Sequence, residues 1–169
     1  TEDENGDCSV DLAFDNEGTG MAVWLSDEDA DFITDEDTYL KYSIWSGEEW
    51  SEALNIPTGE GPKHSPSVVY LSNGNAYVCW VRTLVIDDTS RWQVATTIYN
   101  SEQAEWSQPD IAYQNIQKID EPFVGAAMIG DENIVQLVWR GFGDGSVDLE
   151  NAIFANAFFS PNQPFCGDI

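Results

Sequence analysis

Short apolar segments that carry a tryptophan near their end recur three times along the chain. They span residues 20–25, 75–82 and 134–140, and their tryptophans are Trp24, Trp80 and Trp139. Each segment is rich in residues that favour strands and is too short for a helix, so each predicts a buried β-strand. The spacing is 56 residues from Trp24 to Trp80 and 59 residues from Trp80 to Trp139, which indicates a repeat. We expect the three tryptophans to pack in the core.

A turn signal stands six residues before each tryptophan, at Gly18, Gly74 and Asn133. Glycine and asparagine tolerate the positive φ that a tight hairpin needs at such a position. Other short segments around each turn predict one strand before it and two after the central strand. These strands are residues 8–14, 39–45 and 50–56, then 67–71, 92–99 and a segment from 106, then 122–129, 152–159 and a segment from 165. Loops are expected at residues 26–38, 83–90 and 141–150.

Four antiparallel strands per unit without helical periodicity predict an all-β protein of three propeller-blade-like repeats. Residues 1–7 form an acidic N-terminal segment, and the repeats at 8–61, 62–120 and 121–169 should form one structural unit. A β-sandwich is the alternative, although it does not require the same turn and tryptophan spacing three times. A closed propeller needs about four blades, so the outer faces of the first and last repeats should lack a covering blade.

Three stretches carry a family resemblance. They are residues 20–24, Gly-Met-Ala-Val-Trp, residues 42–53, Tyr-Ser-Ile-Trp-Ser-Gly-Glu-Glu-Trp-Ser-Glu-Ala, and residues 64–80, which begin His-Ser-Pro-Ser-Val-Val-Tyr. They resemble the degenerate sialidase-like (BNR-type) β-propeller repeats of microbial surface proteins. The resemblance covers residues 8–169 and implies a fold rather than an activity. The Ser-x-Asp-x-Gly-x-x-Trp box of true sialidases is not kept, since the corresponding hairpin of the first repeat reads Ser-Gly-Glu-Glu-Trp.

The charge of the chain is extreme, with 31 acidic residues against six Lys and Arg and a formal net charge of −25. Such a surface repels nucleic acids and anionic membranes, so we predict no nucleic-acid partner and no direct insertion into a membrane. High salt screens this repulsion and divalent cations bind carboxylates, so both environments would favour the fold. A halophilic or marine protein is therefore expected.

The acidic loop at residues 26–38 is the candidate metal site, with alternating aspartates that resemble calcium loops. The predicted ligands are Asp27, Asp29, Asp31, Asp35 and Asp37. Carboxylate oxygens at this spacing can surround one hard cation, so calcium is the predicted cofactor. The glycine usual at the sixth position is replaced by Phe32, and a solvated acidic loop remains the alternative.

The cysteines bear on the location of the protein. Cys8 and Cys166 lie near the two ends of the repeat pattern, and we predict a disulfide between them. A disulfide would place the protein outside the cytoplasm, in an extracellular or cell-surface setting. Two unrelated thiols are the alternative. Cys79 lies within the central strand of the second repeat and is expected to be a small buried apolar residue.

The leading functional hypothesis is an extracellular structural or adhesive module that assembles through its blade edges. Its partners would be copies of itself or other domains of a larger surface protein, layer or filament. A lectin-like propeller is the alternative, with Trp45 and Trp92 as sugar-stacking candidates, although both could instead pack within the repeats. A sialidase-like glycosidase is the least favoured reading, and we predict no enzymatic activity. His64 lacks a recognisable nucleophile partner, and the chain has neither zinc-ligand spacing nor a phosphate loop.

The net charge generates a stability prediction. Removing salt and calcium should lower the melting temperature, because about 25 unbalanced negative charges then repel one another without screening. Thermal unfolding followed by circular dichroism over a series of NaCl and calcium concentrations measures this. A melting temperature independent of both would contradict the halophilic and the metal interpretations together.

Overall fold

The fold was analysed in a computed structural model, which describes residues 5–28, 38–86, 88–115, 124–129, 134–142 and 152–159. Within these ranges the protein is all-β, with twelve strands and no helix, as the sequence predicted. No helix of the described part is long and apolar enough to cross a membrane. All strand pairs are antiparallel, and they form three separate sheets.

Each sheet follows the order of its strands along the chain. Sheet 1 contains β1 (Gly6–Phe14), β2 (Gly20–Asp27), β3 (Thr38–Trp45) and β4 (Leu54–Asn55). Sheet 2 contains β5 (Lys63–Tyr70), β6 (Ala76–Ile86), β7 (Thr89–Asn100) and β8 (Glu105–Trp106), and β9 (Asp110–Asn115) also pairs with β7. Sheet 3 contains β10 (Val124–Ile129), β11 (Ile134–Phe142) and β12 (Ala152–Phe159).

Most predicted strands are present, but four details of the prediction were wrong. The expected loop at residues 83–90 is largely strand, since β6 continues to Ile86 and β7 begins at Thr89. Strand β5 begins at Lys63 and includes His64, whereas the predicted strand began at residue 67, and the fourth strand of the first repeat shrinks to β4. Strand β9 was not predicted. The strand expected from residue 165 lies outside the described residues.

The glycines of the two best-described hairpins behave as predicted. Gly18 has φ 91° and Gly74 has φ 80°, both in the left-handed region where a side chain would be strained. The N–H of Gly18 donates to the carbonyl of Asp15 at 3.4 Å, and that of Gly74 donates to Leu71 at 3.0 Å. The two turns are therefore built alike at positions 56 residues apart.

A second repeated device fixes the outer part of sheets 1 and 2. The Ser43 hydroxyl donates to the carbonyl of Ser51 at 2.8 Å, and the Thr97 hydroxyl donates to the carbonyl of Ser107 at 2.9 Å. In both sheets the serine Oγ also accepts a backbone N–H from the neighbouring strand at 3.0 Å. These hydroxyls continue the strand pairing beyond the short strands β4 and β8 by satisfying backbone groups.

The core consists of two apolar layers, one on each side of sheet 2. Alternate residues of a strand point to opposite faces. Ala76, Val78 and Trp80 of β6 therefore pack in the layer shared with sheet 1, which also contains Met21 and Val23. The intervening residues of β6 lie in the other layer, which is shared with sheet 3. The buried members of this second layer are Leu71, Tyr77, Cys79, Val81, Val94, Ala112, Val135 and Leu137.

A buried Val or Leu contributes roughly 1.5–3 kcal/mol relative to the exposed side chain. Residues 76–81 are continuously buried, so β6 contributes several such side chains to the core.

Sheets 1 and 2 are also joined by a polar contact at a shared irregularity of their first strands. Both β1 and β5 have a shift in register, and the serine inside each shift has a positive φ, 53° at Ser9 and 45° at Ser65. Asp11 of β1 reaches across to β5, where its Oδ2 accepts the Ser67 hydroxyl at 2.7 Å and the Val68 N–H at 2.9 Å. The carboxylate satisfies a backbone donor of β5, which is the edge strand of sheet 2.

Replacing Asp11 by alanine should lower the free energy of unfolding by about 1–3 kcal/mol, because the Val68 N–H and the Ser67 hydroxyl lose a charged acceptor. Urea unfolding at fixed salt measures the change. Asp110→Ala is the matched control, since Asp110 accepts the N–H of the next residue, as Asp11 does, but forms no hydrogen bond to another sheet within the described residues. Equal losses for the two variants would show that the inter-sheet contact adds no stability.

Candidate functional site

A cleft of about 690 Å³ lies where the β1–β2 and β5–β6 turns come together, between sheets 1 and 2. One wall is the first turn, the other is the second turn with the end of β7, and strands β3 and β5 also contribute. The lining residues are Asp15, Asn16, Glu17, Thr19, Ile44, Tyr70, Leu71, Ser72, Asn73, Gly74, Tyr99, Ser101 and Glu102. The volume lies within the ordinary range for small-molecule sites.

The first wall is held by its own aspartate. Asp15 Oδ1 accepts the N–H of Glu17 at 2.9 Å and the N–H of Thr19 at 2.8 Å, which closes an Asx-type turn. The second oxygen of Asp15 has no hydrogen-bond partner among the described residues. One oxygen of this carboxylate therefore builds the turn, and the other remains available to a ligand.

The second wall is fixed by asparagines. Asn73 Oδ1 accepts the N–H of Asn75 at 3.1 Å, and Asn75 Oδ1 accepts the N–H of Ser101 at 3.2 Å. The β5–β6 turn is thereby tied to the turn that follows β7, where Glu102 lies. Both walls are thus held by hydrogen bonds to the backbone.

Two tyrosines form the deepest polar part of the lining. Tyr70 is 7% exposed and Tyr99 is 8% exposed. Within the described part of the chain neither hydroxyl has a hydrogen-bond partner. Burial raises the pKa of Tyr70 to about 12, with the Asp15 carboxylate and Tyr99 adding to the effect. Burial and the neighbouring Tyr42 also raise the pKa of Tyr99, so both phenols remain protonated donors at neutral pH.

The cleft is electrostatically one-sided. Asp15, Glu17 and Glu102 are in its lining, and none of the lining residues is a lysine, arginine or histidine. An anionic ligand would face uncompensated repulsion here. The cleft offers a ligand carboxylate acceptors, aliphatic and phenolic hydroxyl groups, and the small apolar surface of Ile44 and Leu71.

The two tryptophans predicted to stack on sugars lie in different sheets, and neither lines the cleft. Trp45 ends β3, is half-buried, and has its ring centre 5.6 Å from that of the more exposed Trp50. Trp92 of β7 is half-buried, with its ring centre 5.4 Å from that of His64 and an angle of 34° between the rings. Each therefore packs against a neighbouring ring, and their role in sugar binding remains a prediction.

Of the five predicted calcium ligands, Asp27 is described, and Asp29, Asp31, Asp35 and Asp37 lie outside the described residues. Asp27 is fully buried at the end of β2, and its Oδ2 accepts the Thr38 hydroxyl at 3.2 Å. Among the described residues no group of three or more His, Cys, Asp or Glu side chains could hold a metal. The calcium site thus remains a prediction that rests on the loop.

Of the three cysteines, Cys8 and Cys79 are described and Cys166 is not. Cys79 is a fully buried free thiol, as expected, and burial raises its pKa, which keeps it unreactive. Cys8 is half-buried and forms no disulfide within the described ranges. Cys166 lies outside them, so its pairing with Cys8 remains a prediction.

Arg82 is a half-buried side chain of β6 that forms hydrogen bonds within sheet 2 and to the connection before it. Its Nε donates to the side-chain oxygen of Gln93 at 2.8 Å, and its Nη1 donates to the carbonyl of Thr58 at 3.2 Å. Burial lowers the pKa of this guanidinium. Arg82 therefore joins β6 and β7 to the connection between sheets 1 and 2.

Comparison with known proteins bears on the fold alone. The chain matches no family model and no curated protein. Among solved structures it is similar to a protein of unknown function from Dyadobacter fermentans, with a TM-score of 0.57 and 10% sequence identity. The similarity covers 93% of this chain and 51% of the other, so the chain spans about half the length of that protein.

The cleft tyrosine generates a pH prediction. Tyr70 has its pKa raised from 10.0 to about 12, so its contribution to stability is complete below pH 10 and is lost as the pH rises toward 12. The free energy of unfolding of the wild type should therefore fall across this window more steeply than that of Tyr70→Phe. Urea unfolding at a series of alkaline pH values compares the two slopes, and identical slopes would contradict the prediction.

Proposed function

We propose that the chain is an extracellular structural or adhesive module whose sheets act as propeller-like blades, and that it assembles by covering an exposed sheet face. The supporting observation is on the face of sheet 1 that points away from sheet 2. Three alternate side chains of β1 are exposed there, Val10 at 72%, Leu12 at 49% and Phe14 at 52%. An apolar row of this kind on a strand predicts a partner.

The repeat itself indicates what should cover this face. Leu12 lies opposite the residue two before Trp24, and Val68 lies opposite the residue two before Trp80. The two side chains are therefore equivalent, yet Val68 is buried in the layer shared with sheet 1 whereas Leu12 is exposed. The equivalent face of sheet 2 is thus covered by a sheet, which supports a sheet as the partner of sheet 1.

The central tryptophans of the first two repeats also differ in burial. Trp80 is fully buried between sheets 2 and 1. Trp24 was expected in the core but is only half-buried, and its indole N–H donates to Asp7 at 3.1 Å. Residues at the same position of the repeat thus have different environments, because no described sheet covers sheet 1 on this side.

The occupant that we propose is a sheet of a second copy of this chain. The three sheets stack in the same way. The odd-numbered residues of β2 pack against the even-numbered residues of β6, and the odd-numbered residues of β6 pack against Val135 and Leu137. A further sheet added in the same sense would cover Leu12 and Phe14. The Dyadobacter protein is about twice the length of the matched region, which leaves room for a second set of sheets in one chain.

The net charge of −25 sets the conditions for this association. Two copies repel each other over a distance that salt shortens, from about 10 Å at 0.1 M to about 3 Å at 1 M. Association is therefore expected to strengthen with salt, as apolar contacts do in general. Light scattering in molar NaCl, with and without calcium, should show a species of at least twice the monomer mass.

The substitution Leu12→Asp should weaken association at least about tenfold, since it places a charge in the proposed contact. Leu54→Asp is the matched control, because Leu54 also belongs to sheet 1 and is 51% exposed but lies on β4. Sedimentation equilibrium of the three proteins in high salt measures the constants. A wild-type monomer under all conditions, or equal weakening by both variants, would overturn the proposal.

A further inference from the structure

We propose that the cleft between the β1–β2 and β5–β6 turns binds a neutral polyhydroxylated ligand, a saccharide of one or two rings. The inference is independent of the assembly proposed above, because none of the residues Val10, Leu12 and Phe14 lines the cleft. It also moves the sugar site away from Trp45 and Trp92.

Two phenol donors that face the cleft carry the argument. Tyr70 and Tyr99 are more than nine-tenths buried, both line the cleft, and neither hydroxyl has a partner among the described residues. Both hydroxyls reach the surface of the cleft, since neither is among the fully buried polar atoms that lack a partner. A ligand that displaces water from these phenols must therefore accept their hydrogen bonds. Two of them in one cleft indicate a ligand that can accept hydrogen bonds.

The carboxylates narrow the chemical class. Asp15 has one oxygen available, and Glu17 and Glu102 add further acceptors, so the ligand must also donate. A saccharide hydroxyl donates and accepts at once, and therefore matches carboxylates beside phenols. A simple cation can satisfy the acceptors but cannot accept from a phenol, and an anion is repelled by the carboxylates.

The size and the rigidity of the cleft are consistent with a saccharide ligand. A cleft of about 690 Å³ is large enough for one or two sugar rings. Its walls are fixed by the Asp15 turn and by the Asn75 contact to Ser101, so little ordering is needed on binding. Ile44 and Leu71 offer apolar surface for the C–H face of a ring.

The geometry supplies a reporter for the test. Trp106 lies against Tyr99 with ring centres 5.1 Å apart, so a ligand on Tyr99 should change tryptophan emission. The probes are glucose, galactose, mannose, lactose and cellobiose, titrated into the full chain in high salt. Methylammonium chloride is the cation probe. At least one sugar should bind saturably, and methylammonium should not.

Variants then assign the site. Tyr70→Phe and Tyr99→Phe each remove one hydroxyl and keep the ring, and each should weaken sugar binding by roughly fivefold to tenfold. Tyr39→Phe is the control, since Tyr39 is a half-buried tyrosine of β3 outside the cleft. Leu12→Asp should leave sugar binding unchanged even if it abolishes association. This separates the two proposals.

Asp15→Asn distinguishes a sugar from a cation. The amide keeps an oxygen that can accept the N–H groups of Glu17 and Thr19, so the turn is preserved while the charge is lost. Sugar binding should persist in this variant, weakened by less than about tenfold. Binding of methylammonium that Asp15→Asn abolishes would overturn the proposal. So would no binding by any of the five sugars, or equal affinity of Tyr70→Phe and wild type.

Discussion

Sheet 2 carries apolar side chains on both of its faces, and the arrangement of the other two sheets depends on this constraint. Six consecutive residues of β6, from Ala76 to Val81, are almost wholly buried. A strand of this kind is stable only between two neighbours, because either face left in water would forfeit roughly 25 cal/mol for each Å² of apolar surface. Sheet 1 covers one face, and sheet 3 covers the other.

Polar contacts specify how sheets 1 and 2 meet. Apolar burial is not directional, whereas the hydrogen bonds from Ser67 and Val68 to Asp11 require one register and one orientation. The same alignment brings the β1–β2 turn beside the β5–β6 turn and so creates the cleft. Inter-sheet packing therefore links the core, the exposed face of sheet 1 and the candidate site.

The sequence could predict what depends on local patterns. The glycine turns, the first three strands of each repeat and the all-β class follow from short-range chemistry. The extension of β6 to Ile86 and the start of β7 at Thr89 were not predicted, because residues 83–90 were expected to form a loop. A left-handed residue at Asp88, with φ 58°, instead allows a tight turn there. The cleft could not be predicted, since it joins turns 56 residues apart.

Native-state hydrogen exchange tests most directly whether sheet 2 is the covered centre of the molecule. The amides of residues 76–81 should exchange only through global unfolding and be the slowest of the chain. Those of β1, an edge strand with an exposed face, should exchange through local opening and slow down in high salt if a second copy covers them. Exchange in β6 as fast as in β1 would contradict the account.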